Sequence, residues 1–209
     1  RAVARSPALA RAVAEAGHEA ACHGWVWRPH ADYASPEEER EDLLRATETI
    51  EAATGARPRG FFCRGSESAW TRPLLVEAGY LYTSNAFDDD LPYADPAGLT
   101  VVPYNLDTND MKFFHPNGFV RAAEMVDYVR DAVGQLLDEA DEGRSSTLSI
   151  GFHLRICGRP ARFRAVTGIL EYLASLDGRI WRAQRLEIAR HFAASSPAAR
   201  PRTQQGDLT

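Results

Sequence analysis

The strongest constraint on the fold of this chain is its punctuation. Short β-prone runs alternate with helix patterns that open on a cap residue and close on glycine. Ser6-Pro7 starts the first helix, with Leu9, Ala10, Val13 and Ala14 as its apolar stripe and Gly17 as its stop. His18–Cys22 follows as a strand. Ser35-Pro36-Glu37-Glu38 has capping-box spacing and opens a helix carried by Leu43, Leu44, Thr47 and Ile50 to Gly55. Gly60–Cys63 reads as strand, Thr71–Ala78 as helix, and Tyr80–Ser84 and Thr100–Tyr104 as strands. Phe87–Gly98 carries so much Asp, Pro and Gly that it reads as a loop. Val126, Val129, Val133, Leu136, Leu137 and Ala140 recur at helical spacing up to Gly143. Thr147–His153 then reads as strand and Leu154–Arg159 as a basic loop. Phe163, Val166, Ile169, Leu170 and Leu173 form a further helical stripe, followed by a strand at Ile180–Ala183 and a short helix to Phe192. Such alternation predicts an α/β fold with mostly parallel strands. Both a β/α barrel and an open doubly wound sheet satisfy it. With neither G-x-G-x-x-G nor a P-loop to support a nucleotide-binding sheet, the barrel is favoured.

Composition narrows the function. The 209 residues, 44% of them apolar, can bury one core, and the polar, period-free stretch 193–209 is expected to be a disordered tail outside a domain spanning 1–192. A net charge of -5 argues against a nucleic-acid partner. No apolar run approaches the roughly 20 residues that cross a bilayer, and no signal peptide opens the chain, so a membrane partner is not expected. Cys22, Cys63 and Cys157 are odd in number and widely spaced, as in a protein of a reducing cytoplasm. The first residue is Arg and a helix pattern is running by Ser6, so an upstream segment is expected.

Three stretches at strand ends hold the residues able to do chemistry. Gly17–Trp27 reads G-H-E-A-A-C-H-G-W-V-W. Its His23 is either a hydrogen-bonded strand-end histidine or a functional one, and Trp25 and Trp27 are either core or the flat wall of a pocket for a sugar or planar amide ring. As a zinc ligand His23 would want partners, but Trp27 stands four residues on, and nothing makes His18 or His30 converge with it. Asp107 and Asp110 flank Thr108-Asn109 after a strand. They serve as turn residues, bind a metal, orient a histidine, or split acid and base roles. His153 ends another strand, where an imidazole is placed for general acid or base work. Arg155 and Arg159 beyond it could hold a carboxylate or an oxyanion, or belong to a basic loop that neutralises the Asp88–Asp90 run. Arg64, in C-R-G-S-E-S, is a further strand-end arginine that could orient a carboxylate or stay solvated. Cys22 as a nucleophile for neighbouring His23 is disfavoured, because adjacent strand residues face opposite ways.

These stretches, with D-D-D-L-P-Y at 88–93, L-D-T-N-D-M at 106–111, G-F-H-L-R-I-C-G-R-P at 151–160 and I-A-R-H-F at 188–192, resemble the polysaccharide deacetylase (NodB-homology) family, and especially its allantoinase-like branch. The resemblance runs from about Arg1 to Phe192. It implies an incomplete, distorted β/α barrel and hydrolysis of a non-peptide C–N bond. Metal-dependent members carry H-x-x-x-H where this chain has His23 and Trp27, a substitution that resembles the metal-independent branch. The family's first motif, an Asp-rich strand end, would lie before Arg1, so the resemblance implies an N-terminally truncated domain. Arg64 stands in a loosely aligned version of the third motif, as the residue that would orient that missing Asp.

The resulting expectation is a cytoplasmic, cofactor-free amidohydrolase acting on a small molecule, a cyclic ureide or an N-acetylated sugar. Water attacks the amide carbon with a carboxylate as base, His153 protonates the leaving nitrogen, Asp107 or Asp110 tunes His153, and Arg155 stabilises the oxyanion. Arg159, Asn109, His23, Trp25 and Trp27 shape the substrate pocket. Two alternatives stand beside it: a metal-dependent N-acetyl-sugar deacetylase using zinc or another divalent ion on His23, and a non-catalytic fragment that only binds ligand. A homo-oligomer is compatible with any of them.

Overall fold

The computed structural model describes residues 1–196, which divide into two compact units. The first unit contains Arg1–Ala86, Pro92–Val102 and the chain from Ala183; the second contains Phe87–Leu91 and Pro103–Arg182.

The first unit is built on a sheet of four two-residue strands, β1 (Gly60–Phe61), β2 (Tyr82–Thr83), β3 (Tyr93–Ala94) and β4 (Thr100–Val101), in the order β1-β2-β4-β3. β1 pairs with β2 and β2 with β4 in parallel, while β3 pairs with β4 antiparallel. The chain is therefore α/β with a mixed, mostly parallel and open sheet. β1, β2 and β4 are buried at both positions, as suits parallel strands covered on two sides. β3 lies inside the stretch expected to be a loop. Its turn explains the miss, since Asp95-Pro-Ala-Gly98 is hairpin chemistry: Asp95 N–H donates to Leu99 O (2.8 Å), Gly98 N–H to Asp95 O (2.9 Å) and Ala97 N–H to Asp95 Oδ1 (2.8 Å). The strand expected at His18–Cys22 contracts to one parallel bridge, Cys22 with Phe61.

Helices α1 (Ala2–Arg5), α2 (Pro7–Glu15), α3 (Pro36–Thr54) and α4 (Thr71–Glu77) complete most of this unit. Ser35 caps α3 by accepting from Glu38 N (3.3 Å). Glu38 reaches back to Ala34 N (2.9 Å) rather than to Ser35, one residue beyond the box the spacing predicts. Gly55 closes α3 at φ 76, a conformation glycine adopts without a steric penalty. Cys22, Trp25, Leu43, Ala46, Ile50, Phe61, Cys63, Leu74 and Leu75 share the core. A helix running Arg185–Ser195 (α8 below) places Ala189 against Tyr82 and Val102. It extends three residues into the stretch expected to be a tail; residues 197–209 lie outside the described residues.

The second unit is helical: α5 (Ala122–Asp141), α6 (Leu154–Cys157) and α7 (Pro160–Ser175), with α8 counted in the first unit. Met125, Val129 and Val133 form one buried α5 stripe, packed with Ile156, Cys157, Ala165 and Ile169. On α7 the stripe is narrower than expected, because Phe163 and Leu170 are exposed. The strand expected at Thr147–His153 is only one parallel bridge, Asn109 with Gly151. Side chains occupy the places a ladder would need: Thr108 Oγ1 donates to Ser149 O (2.6 Å), Ser149 N donates to Asn105 Oδ1 (2.8 Å), and Ser149 Oγ donates to Pro103 O (3.3 Å). The basic loop expected at Leu154–Arg159 begins instead with α6, whose first turn closes on His153 O. Ile180–Ala183 forms no strand among the described residues, and its Trp181 is exposed.

Candidate active site

The parallel bridge between Asn109 and Gly151 sets the geometry of the second unit's polar centre. Asp110 N–H donates to Gly151 O (3.0 Å) and Gly151 N–H to Thr108 O (3.3 Å), so Asp110 and His153 leave the bridge at the same end. Glycine is required here: a Cβ on residue 151 would lie 2.3 Å from both Asn109 Nδ2 and Tyr104 Oη. Asp110 is fully buried. Its Oδ1 accepts from His153 Nδ1 (2.6 Å) and its Oδ2 from the His153 backbone N–H (2.7 Å). The imidazole, with its side chain 30% exposed, is thereby held in the tautomer protonated at Nδ1, leaving Nε2 as the ring nitrogen without the proton. Cys157 lies below the pair. Burial pushes its thiol up to about 12, and the hydrogen bond and charge of Asp110 add to that.

Of the two carboxylates offered to His153 by the sequence, the structure brings only Asp110 to it. Asp107 is exposed and accepts from Tyr128 Oη (3.1 Å), whose own ionisation is pushed up by partial burial and by that carboxylate. It also borders an open acidic cleft with Asp88, Asp89, Asp90 and Tyr104. Asn109 is buried and committed to structure: its Oδ1 accepts from Met111 N (2.8 Å) and its Nδ2 donates to Tyr104 Oη (2.6 Å). Arg155 is exposed, with Nη2 3.7 Å from Met111 Sδ, and Arg159 is the exposed residue that precedes α7.

In the first unit, His23 donates from Nδ1 to Phe62 O and stacks on the Phe62 ring, 4° from parallel with centroids 5.4 Å apart. Cys22 and His23 face opposite ways, one buried and one exposed, as strand alternation requires. The two tryptophans part company. Trp25 is 9% exposed and belongs to the core, with Arg45 over its ring; Trp27 is 55% exposed, and the Arg64 guanidinium lies 4.2 Å from its ring centroid. A cavity of about 520 Å³ opens beside them, bordered by His23, Trp25, Trp27, Arg5, Thr49 and Ile50 among others. Among the described residues no three His, Cys, Asp or Glu side chains converge on a metal position, and the place four residues after His23 holds an indole. These residues do not fit a resident metal ion.

One polar cluster escapes the motif reading. Glu39 and His30 are each 1% exposed and joined at 2.9 Å, with Ser68 and Thr71 also bonded to the carboxylate. The signal was present in the sequence, because Glu39, Leu43, Ala46, Thr47 and Ile50 share one buried helical stripe and a glutamate on such a stripe demands partners.

The polysaccharide deacetylase family profile matches residues 1–83. A Schizosaccharomyces pombe protein provisionally named a polysaccharide deacetylase is 33% identical over 94% of this chain and 67% of its own length. The chain belongs to the polysaccharide deacetylase family. A crystal structure of a Pseudomonas aeruginosa PAO1 protein, also provisionally named a polysaccharide deacetylase, superimposes with a TM-score of 0.86 at 40% identity, covering 94% of this chain and 66% of that one. The crystal structure of Puue allantoinase gives 0.85 at 39% identity, covering 93% and 65%. This deacetylase-family chain thus spans about two thirds of the length of its relatives, and its α/β architecture is theirs. Among the described residues no helix is long and apolar enough to cross a membrane.

Proposed function

We propose that the protein of which this chain is part hydrolyses a non-peptide C–N bond, with His153 as the general acid. The observation that carries the reading is the pairing of His153 Nδ1 with the fully buried Asp110. A carboxylate there fixes the ring and faces the positive charge that arises when Nε2 carries a second proton. Nε2 takes up a proton as water adds to the amide carbon, and delivers it to the departing nitrogen as the C–N bond breaks. Arg155, on the first turn after His153, is the candidate for the developing oxyanion. His23, Trp27 and Arg64 are candidates for holding the substrate, and their flat faces suit a planar ureide or a sugar ring.

A cyclic ureide is the favoured substrate class. The likeness to Puue allantoinase supports it, and so does Trp27 standing where a second metal-binding histidine would be required. The full-length protein is assayed on allantoin and on N-acetylglucosamine oligomers, following ring-opened product and released acetate. His153→Ala is expected to lower turnover at least about a hundredfold. Undiminished turnover in that variant removes the general-acid assignment, and turnover of the oligomers alone replaces the ureide by an N-acetylated sugar.

A further inference from the structure

The loop after His23 and the loop after β1 meet at three successive places. The Trp27 ring stacks with Arg64, Pro29 lies 3.6 Å from the position of a Cβ on Gly65, and Ala31 N–H donates to Ser66 O (3.1 Å). Beneath this seam sits the His30–Glu39 cluster. Glu39 Oε1 accepts from His30 Nδ1 (2.9 Å) and Thr71 Oγ1 (2.5 Å), while Oε2 accepts from Ser68 Oγ (2.5 Å). One carboxylate on α3 therefore holds a residue of the first loop and two residues at the end of the second. His30 Nε2 is buried with no hydrogen-bond partner among the described residues and lies 3.2 Å from the position a Cβ on Gly24 would take.

A buried, hydrogen-bonded pair of this kind is poor value as a source of stability, because desolvation of its members offsets their attraction. What it supplies is register. We propose that Glu39 and His30 are positioning residues: the buried carboxylate locks the two loops together, and through them holds Trp27 and Arg64 stacked as one lip of the substrate site. The significance of that lip rests on the hydrolase reading above; the geometry of the clamp does not. Ser68 and Thr71 act in the same sense, each as one donor to the carboxylate. Gly24 completes the arrangement, since a side chain there would push on His30 and move the backbone that carries His23.

The test uses 5-fluorotryptophan in the full chain, which has 4 tryptophans and hence 4 fluorine resonances. Trp27→Phe assigns the Trp27 signal, and Arg64→Ala supplies the chemical shift of an unstacked Trp27. In Glu39→Gln the Trp27 resonance is expected to move toward the Arg64→Ala position while the Trp181 resonance stays. Exchange of the Ala31 amide should accelerate at least about tenfold. A Trp27 signal that keeps its wild-type shift in folded Glu39→Gln overturns the proposal, even if the melting temperature falls, because a purely stabilising pair would behave that way. Ser68→Ala removes one donor to the carboxylate, along with the acceptor for the Trp70 and Thr71 N–H groups, and carries the same measurement if Glu39→Gln does not fold. No turnover is required, so a protein that hydrolyses neither substrate class still tests the clamp and separates its failure from failure of the hydrolase reading.

Discussion

The His23 and His153 regions use the same ring atom in different ways. His153 donates a hydrogen bond from Nδ1 to a buried carboxylate, and His23 donates one from Nδ1 to a backbone carbonyl. A carboxylate opposes the charge of an imidazolium, whereas a carbonyl mainly orients the ring. On the proposed hydrolase reading, proton transfer falls to the His153 region and positioning to the His23 region. It also separates residues that a motif reading treats alike: Asp110 from Asp107, and Trp27 from Trp25.

The comparison is most exposed to attack at Asp110. Asp110→Asn leaves the ring a partner of the wrong kind, and turnover in the full-length protein is expected to fall between about a hundredfold and ten-thousandfold. A loss as large from His23→Gln as from Asp110→Asn would erase the distinction between the regions. Two glycines beside these histidines come next. Gly151→Ala places a methyl group 2.3 Å from two polar atoms and should cost about 1–3 kcal/mol in denaturant unfolding. Gly24→Ala, at φ +77 and with a contact of 3.2 Å, should cost about 1–2 kcal/mol.

Alkaline pH probes both regions together. Burial raises the Cys63 and Cys157 thiols from 9.0 to about 12. Between those values the unfolded chain releases thiol protons that the folded chain keeps, so stability contributed by the neutral thiols is full below pH 9 and is lost as pH rises toward 12. Iodoacetamide at pH 8.5 should accordingly label Cys63 and Cys157 only after denaturant is added; rapid labelling of the native protein would show that the thiols are not enclosed. The smallest effect belongs to Asp107→Asn, which should change turnover by less than about threefold, since an exposed hydrogen bond to Tyr128 is worth little.

Much of the framework was legible in the residues. Ser35-Pro36 and Gly55 bracket α3, and the spacing from Val126 to Ala140 marks α5, because caps and helical periodicity are local properties. Strands were overread at His18–Cys22, Thr147–His153 and Ile180–Ala183. A β-prone run becomes a strand only if another backbone is there to pair with, and a sequence window does not contain that partner. β3 was missed for the opposite reason: its hairpin turn made the whole segment resemble a loop. At the candidate site, His153 and Asp110 stood out by residue type, yet nothing local distinguished Asp110 from Asp107. Glu39 and His30 passed unnoticed because they form no motif, although the place of Glu39 on a buried stripe was readable.

The sequence by itself determined the α/β class, the long helices α3, α5 and α7 and a small set of candidate residues, since these follow from short-range steric and hydrogen-bonding preferences. Only the tertiary structure decided which carboxylate meets His153, which tryptophan is exposed and what lies beneath the Trp27–Arg64 stack. Those are contacts between residues far apart in the chain, and burial and pairing at such distances are set by the fold as a whole.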